Sequence, residues 1–249
     1  MTSRNSSWKS DFAAGASGPE TEKTKRTTEF GNRRGPIPLL PAGQDYLWGG
    51  RRLRDDFSKD IPLTPLAETW ECSTHPDGLS LLAEDPDKTL HELLQENPWM
   101  FGTHPAKSMP EAVEKGELPV LIKFIDAAAD LSVQVHPDDA YAREHENGQL
   151  GKSEMWYVVD AAPGAKLVYG FSHDMDRERV REAAQNGTLE KHLQRVPIRK
   201  DDVFFIPAGT VHAIGGGSLI AEVQESSNLT YRLYDYHRIG KDGKERPLH

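Results

Sequence analysis

The chain contains nine short runs in which β-branched, aromatic and other apolar residues predominate, several of them alternating with polar residues at a period of two. Such alternation is typical of strands that bury one face. The runs are short, similar in length and separated by Pro and Gly, which favours an antiparallel sandwich or barrel. They span residues 66–73, 119–127, 131–137, 154–160, 165–171, 202–209, 212–215, 219–226 and 230–236.

Two segments, near 87–116 and 174–196, have a helical period instead. In the second segment, Asp174 and Asp176 precede a run of good helix formers, and Asn186-Gly187 is a suitable stop signal. We therefore predict two helical insertions in an otherwise β domain.

The composition divides the chain into three parts. Residues 1–34 are rich in Ser, Thr, Gly, Lys and Glu and have few large apolar residues, so we predict a disordered N-terminal tail. Residues 35–240 contain the strand-like runs and form the predicted main domain. Residues 241–249 follow the last run closely, and we expect them to begin a C-terminal β domain that the sequence leaves incomplete.

Charge and cysteine content narrow the class of protein. A formal net charge of -9 argues against a nucleic-acid partner, which would need a basic surface. No segment has the ~20 continuous apolar residues of a membrane helix, and the first 15 residues lack the apolar run of a secretory signal. The single cysteine, Cys72, is in keeping with a reducing compartment. We expect a cytoplasmic protein with no nucleic-acid or membrane partner.

The stretch "LSVQVHPDDAY" raises the question of chemistry. Its alternation places Ser132, Gln134 and His136 on one side of a strand and apolar residues on the other. A face with a glutamine and a histidine either is an ordinary solvated surface or lines a cavity that holds a ligand.

Other residues strengthen the second interpretation. Glu154 begins a strand-like run, and His212 follows the tight turn of "PAGTVH". With Gln134 and His136 these residues offer two imidazoles, a carboxylate and an amide oxygen, a donor set that suits Zn²⁺, Fe²⁺, Mn²⁺ or Co²⁺. Taken singly, each histidine is more often a surface or locally bonded residue, and most glutamates are solvated.

These motifs also resemble a known family. "QVHPDD" and "PAGTVHAIGGG" look like the two conserved segments of the cupin barrel. A set of longer segments resembles the class I mannose-6-phosphate isomerases of the short bacterial type, in unbroken order over about residues 36–240. These segments are "LWGGRRL", "AETWECSTHPDGLS", "PVLIKFIDAAADLSVQVHPDD", "KSEMWYVV", "VFFIPAGTVHAIG" and "VQESSNLTYRLYDYHR".

The resemblance implies a fold, an activity and a site. The fold would be a mainly β, cupin-type antiparallel barrel, or jelly roll. The activity would be interconversion of mannose 6-phosphate and fructose 6-phosphate through an enediol(ate), in a monomer or a homodimer that takes a sugar phosphate as substrate. One Zn²⁺ per chain would be held by Gln134, His136, Glu154 and His212.

The resemblance also implies catalytic roles for Lys152, Arg232 and Glu222. Strand phase favours Glu222 as the base, since Ala221 and Val223 lie on the opposite face of its run. By the same phase, Arg232 shares a face with Thr230 and Tyr234, and we expect Arg232 and Lys152 to add positive charge beside the enediolate or phosphate. The alternatives are a structural ion pair for Glu222 and a solvated loop charge for Lys152.

Two other functions remain open at this point. An Fe(II) dioxygenase also uses two histidines and a carboxylate, but it has no need of Lys152 or Arg232. A non-catalytic sugar-phosphate-binding cupin would keep the pocket without the turnover.

Overall fold

Antiparallel strands form most of the regular structure. The computed structural model describes residues 35–249. Within that range the strands are β1 Leu39–Leu40, β2 Ala42–Gln44, β3 Glu68–Cys72, β4 Leu81–Leu82, β5 Asp85–Thr89, β6 Val120–Ala127, β7 Val133–Val135, β8 Glu154–Ala161, β9 Lys166–Phe171, β10 Leu193–Pro197, β11 Val203–Ile206, β12 His212–Ile214, β13 Ser218–Glu225 and β14 Tyr231–Tyr234.

The helices are short and lie between these strands. They are α1 Arg52–Asp55, α2 Leu90–Glu96, α3 Thr103–Ser108, α4 Pro110–Lys115, α5 Asp139–His145 and α6 Arg177–Gln185, with 3-10 turns at Pro98–Phe101 and Leu189–His192.

Two large sheets and one small sheet organise the strands. The order is β11-β8-β13-β6-β3-β2 in the six-stranded sheet, β10-β9-β12-β7-β14 in the five-stranded sheet, and β1-β4-β5 in the small one. The paired strands are antiparallel throughout. The predicted mainly β, antiparallel, cupin-type fold is thereby confirmed.

The main apolar core fills one end of the space between the two large sheets. It includes Trp156 and Val158 of β8, Ile220 of β13, and Leu167 and Ile214 of the opposite sheet. Along β8 and β13, the inward positions beyond this core become polar at Glu154, Glu222 and Gln224. Since successive side chains of a strand alternate between faces, these polar groups lie on the same inner faces as the core. The fold thus has a dry end and a polar end.

The first helical segment begins later than its pattern predicts. Residues 85–89 form β5, and α2 starts at Leu90 because Thr89 caps it. The Thr89 Oγ1 accepts from the Glu92 N–H at 3.0 Å, and the Glu92 carboxylate accepts from the Thr89 N–H at 2.8 Å. This reciprocal capping box satisfies two amides that the helix leaves free.

The second helical segment ends earlier than predicted. Helix α6 stops at Gln185, and Leu193–Pro197 form β10 rather than helix. The helix and the 3-10 turn that follows it pack against the outer face of the five-stranded sheet, where Ala183 of the helix and Leu189 of the turn meet Val168 and Ala213. That apolar contact allows the chain to turn back and rejoin β9 as its antiparallel neighbour.

The predicted tail, residues 1–34, lies outside the described residues. Residues 37–249 form one compact unit, and the boundary proposed at residue 240 remains a prediction. Among the helices of residues 35–249, none combines the length and apolar character needed to cross a membrane.

Candidate metal centre and active site

The six-stranded sheet presents a row of inward side chains at its polar end. Register pairs Glu222 of β13 with Trp156 on one side and with Lys123 of β6 on the other, and Lys123 pairs with Trp70 of β3. Directly opposed residues on neighbouring antiparallel strands point to the same face. Glu154 lies two residues before Trp156 on β8, and therefore on the same face, opposite Gln224 of β13. This sheet therefore contributes carboxylates and a buried lysine.

The five-stranded sheet presents a second row that faces the first. Gln134 of β7 pairs with His212 of β12 on one side and with Arg232 of β14 on the other. His136 follows β7 directly, and Gly209 aligns it, because the Gly209 N–H donates to the His136 carbonyl at 2.9 Å. Gly209 has a φ of 83°, which favours glycine at this turn before β12.

Three buried side chains converge at the junction of the two rows. His136, Glu154 and His212 each offer a ligand atom, and these atoms lie within 4.8 Å of one another. The His212 Nε2 lies 3.2 Å from one Glu154 carboxylate oxygen, and the His136 Nε2 lies 3.6 Å from the other. No more than 2% of any of the three residues is exposed.

Backbone carbonyls determine which ring nitrogens can bind a cation. The Nδ1 of His136 lies 2.8 Å from the Leu229 carbonyl, and the Nδ1 of His212 lies 2.8 Å from the Thr210 carbonyl. A carbonyl only accepts, so each Nδ1 carries the proton and each Nε2 presents a lone pair to Glu154. Lone pairs that face a carboxylate in a buried site need a positive charge between them.

Lys152 supplies only part of that charge. Its Nζ lies 2.7 Å from the Glu154 Oε2 and 3.1 Å from the His136 Nε2. The Glu154 Oε1 is buried and receives no hydrogen bond from the described residues. The donor set and this orphaned oxygen fit a divalent cation held by two imidazoles and a carboxylate.

Gln134 lies beside this cluster with its amide nitrogen turned inward. The Nε2 of Gln134 lies 3.4 Å from the His212 Nε2, while its Oε1 accepts from the Ser132 hydroxyl at 3.3 Å. To act as a ligand, the side chain would rotate its amide by half a turn and exchange oxygen for nitrogen.

Burial shifts the pKa values of the three cluster residues towards their neutral forms. It lowers the pKa of His212 to about 4, and with the Lys152 charge it lowers the pKa of His136 well below its ordinary value. Burial and the charge of Glu222 raise the pKa of Glu154 to about 7, although Lys152 opposes this. Neutral imidazoles are the form that binds a metal.

Glu222 behaves differently from Glu154. Burial would raise its pKa, but Lys123, Lys152 and the Trp156 N–H outweigh it, so the pKa of Glu222 is lowered. Its Oε2 accepts from the Trp156 Nε1 at 2.8 Å, while its Oε1 lies 3.2 Å from the Lys123 Nζ and 3.7 Å from the Lys152 Nζ. The lowered pKa of Glu222 therefore favours the ionised form of this buried carboxylate.

Lys123 was missed at the level of sequence, although a signal was present. It interrupts the inward positions of β6 between Leu121 and Ile125, both fully buried. Its Nζ lies 3.3 Å from a Glu68 oxygen and near Glu222. Burial opposes its charge, but the two glutamates outweigh that effect and raise its pKa. A lysine in phase with buried apolar residues indicates a buried charge pair.

Arg232 reaches the correct face but not the cluster. It opposes Gln134, yet its Nη1 donates to the Pro247 carbonyl at 3.0 Å and its Nε is buried without a partner among the described residues. The expectation that Tyr234 shares its face is wrong. The register shifts between the two residues, so that Tyr234 pairs with Val133 and packs on the outer cluster.

Comparison with known proteins places this geometry in a family. Residues 37–160 match the model of the phosphomannose isomerase type I catalytic domain. A mannose-6-phosphate isomerase of Streptococcus mutans is 42% identical over 216 residues, which are 86% of this chain and 65% of the relative. The chain belongs to the type I phosphomannose isomerase family. These matches confirm the resemblance to the class I mannose-6-phosphate isomerases that the sequence motifs indicated.

Solved structures of the family agree. The crystal structure of the mannose 6-phosphate isomerase from Bacillus subtilis superimposes with a TM-score of 0.78 at 40% identity, covering 87% of this chain and 66% of that one. A mannose 6-phosphate isomerase bound with zinc and yttrium shares the fold, with a TM-score of 0.59 at 18% identity, covering 79% of this chain and 70% of that one. The chain spans 65% of the length of the curated Streptococcus and Bacillus relatives.

Proposed function

We propose that this protein is a zinc-dependent aldose–ketose isomerase that interconverts mannose 6-phosphate and fructose 6-phosphate through an enediol(ate). The observation that carries the proposal is the junction of a cation site with an ionised, buried carboxylate. The Glu222 Oε1 and the Glu154 Oε2 are both within 3.7 Å of the same Lys152 ammonium. Family membership supplies the substrate class.

The proposed zinc ligands are Gln134, His136, Glu154 and His212, which would hold one ion at this centre of each chain. A bound zinc ion would supply Lewis-acid stabilisation of charge on the substrate oxygens. This set offers the nitrogen and oxygen ligands that Zn²⁺ commonly binds in proteins. A mannose 6-phosphate isomerase of the same fold has been crystallised with zinc.

Glu222 is the proposed base. Isomerisation requires a group that takes a proton from one carbon next to a carbonyl and returns it to the neighbouring carbon. The lowered pKa of Glu222 keeps its carboxylate ionised at neutral pH. The Trp156 N–H holds one oxygen, which leaves Oε1 as the atom that accepts the proton. Lys123 and Lys152 keep the charge of this base stable in a buried place.

Lys152 and Arg232 are the proposed positive groups for the substrate. Lys152 lies between the cation site and the base, where negative charge develops on the enediolate oxygens. Arg232 lies on the same sheet face as Gln134, and the buried Nε of its guanidinium has no hydrogen-bond partner among residues 35–249. We assign it to the substrate phosphate or the enediolate.

The test is an isomerase assay on chelated and zinc-restored protein. Fructose 6-phosphate formation from mannose 6-phosphate, followed by a coupled assay, should disappear with chelation and return with Zn²⁺. Activity that returns with Fe²⁺ and consumes oxygen would identify a dioxygenase. Zinc and sugar-phosphate binding without turnover would identify a non-catalytic binder.

A further inference from the structure

Two histidines mark the point where the second helical insertion leaves and rejoins the five-stranded sheet. His173 follows the end of β9, and His192 directly precedes β10. The two strands pair at this point through Phe171 and Leu193, and the Ser172 N–H donates to the His192 carbonyl at 2.8 Å. The histidines therefore close the neck of an excursion that contains α6.

Their ring nitrogens are as close as two ligands of one metal ion. The His192 Nδ1 lies 3.1 Å from the His173 Nε2, and the rings cross at 68°. Two nitrogens at 2.0–2.1 Å from a tetrahedral zinc ion lie roughly 3.3 Å apart. The remaining nitrogen of His173 lies 3.1 Å from the Ser172 hydroxyl, the kind of outer partner that orients a metal-bound imidazole.

A cavity adjoins the pair and offers further donors. Its volume is about 340 Å³, and Glu182, Asn186 and Met175 line it together with both histidines. Glu182 offers a carboxylate on the helix side. Arg179 also lines the cavity, but its guanidinium lies 3.7 Å from the Asp176 carboxylate.

We propose that His173 and His192 form a second transition-metal site, of the zinc, nickel or copper class, that clasps the neck of the insertion. The site is separate from the inner centre, because α6 packs on the outer face of the sheet while His212 and Gln134 point to the inner face. An ion bound here closes a loop that already folds back on itself, and so holds α6 against the sheet. The competing state is a single hydrogen bond between the rings.

Metal analysis after equilibrium dialysis of the metal-free protein against Zn²⁺ tests this site. The wild-type chain should hold two zinc ions, and His173→Gln and His192→Gln should each hold one with unchanged isomerase activity. Glu154→Gln, which removes a ligand of the inner centre, should hold one ion that a further His192→Gln change removes. His104→Gln, at an exposed histidine elsewhere, is the matched control and should hold two.

The outcomes separate the two sites. One zinc ion in the wild type that Glu154→Gln removes would overturn the clasp and leave the proposed function standing. Equal loss of zinc in His104→Gln and His192→Gln would also overturn it, by showing unspecific surface binding. One ion that only His192→Gln removes would support the clasp and contradict the inner centre.

Discussion

The two large sheets contribute opposite kinds of chemistry to one buried cluster. The six-stranded sheet supplies charges, namely Glu154, Glu222 and Lys123, which lie within ion-pair distance of one another or of Lys152. The five-stranded sheet supplies neutral donors, His212 and Gln134, with His136 at the end of its strand. Apart from Arg232, which lies beside Gln134 but outside the cluster, a charged row therefore faces a neutral row.

The difference teaches how a buried polar site can be stable. Charges that leave water need partners at close range, so Lys123 lies near both Glu68 and Glu222, and Lys152 lies near both Glu154 and Glu222. Neutral imidazoles need only orientation, and the backbone carbonyls of Leu229 and Thr210 provide it. We therefore expect changes in the charged row to have larger effects than changes in what orients the neutral row.

The largest effect should come from Glu154→Gln. This change removes the carboxylate that faces both imidazoles. Zinc affinity of the inner centre should fall by more than about 100-fold, beyond the loss typical of outer partners, and turnover should fall below detection. Titration of the His192→Gln background with Zn²⁺ isolates this centre. Glu144→Gln, at an exposed position of α5, should change nothing; full zinc binding in Glu154→Gln would remove Glu154 from the ligand set.

Glu222→Gln should abolish chemistry while sparing the metal. The amide still accepts from Trp156 but cannot take a proton, so kcat should drop by roughly 10²–10⁴-fold. Zinc content should stay at the wild-type level. Glu71→Gln, whose carboxylate pairs with Lys59 at 2.7 Å, is the matched control in the same sheet. Near-normal turnover in Glu222→Gln would assign the base elsewhere.

Lys123→Met should weaken folding because it leaves two buried carboxylates without their shared partner. Glu68 and Glu222 both lie within 3.3 Å of its ammonium. The free energy of unfolding should fall by about 3 kcal/mol in urea denaturation, as for other broken buried pairs. Lys241→Met breaks the exposed pair with Asp45 and should cost under about 1 kcal/mol. Equal losses in the two variants would show that the charged row is not a stability element.

The smallest effect should come from Gln224→Ala, which acts on the neutral row through the backbone. The buried Gln224 amide donates to the Ser227 carbonyl at 2.6 Å and so holds the loop whose Leu229 carbonyl orients His136. Zinc affinity should fall by about 10-fold, with kcat at saturating zinc unchanged. Gln194→Ala on β10 is the exposed control. A kcat loss that excess zinc does not restore would point to a direct role in the reaction.

Period-two patterns predicted much of the fold and of the site. They placed Gln134 and His136 on one face of their strand, and Glu222 on the face away from Ala221 and Val223, because strand alternation depends only on local geometry. The turn before His212 could be predicted for the same reason, since the positive φ of Gly209 is a local property of the backbone.

Contacts between distant segments could not be read in this way. The pairing of Arg232 with the Pro247 carbonyl depends on where a later segment lies, and the shift after Arg232 breaks the alternation that a regular strand would keep. Lys123 was overlooked because its partners, Glu68 and Glu222, are 55 and 99 residues away. Helix α5 was also missed, although the Asp138 carboxylate caps it by accepting from the Tyr141 N–H at 2.8 Å.

The single residue pair between β12 and β7, His212 opposite Gln134, has a consequence for how the protein matures. Pairing of β12 with β7 brings the two histidines and Gln134 together within one sheet, and Glu154 joins them only when the six-stranded sheet docks, so a partly folded chain offers zinc an incomplete set of ligands. Zinc would then be retained only by molecules in which the two sheets have docked, so that metal content would report complete folding.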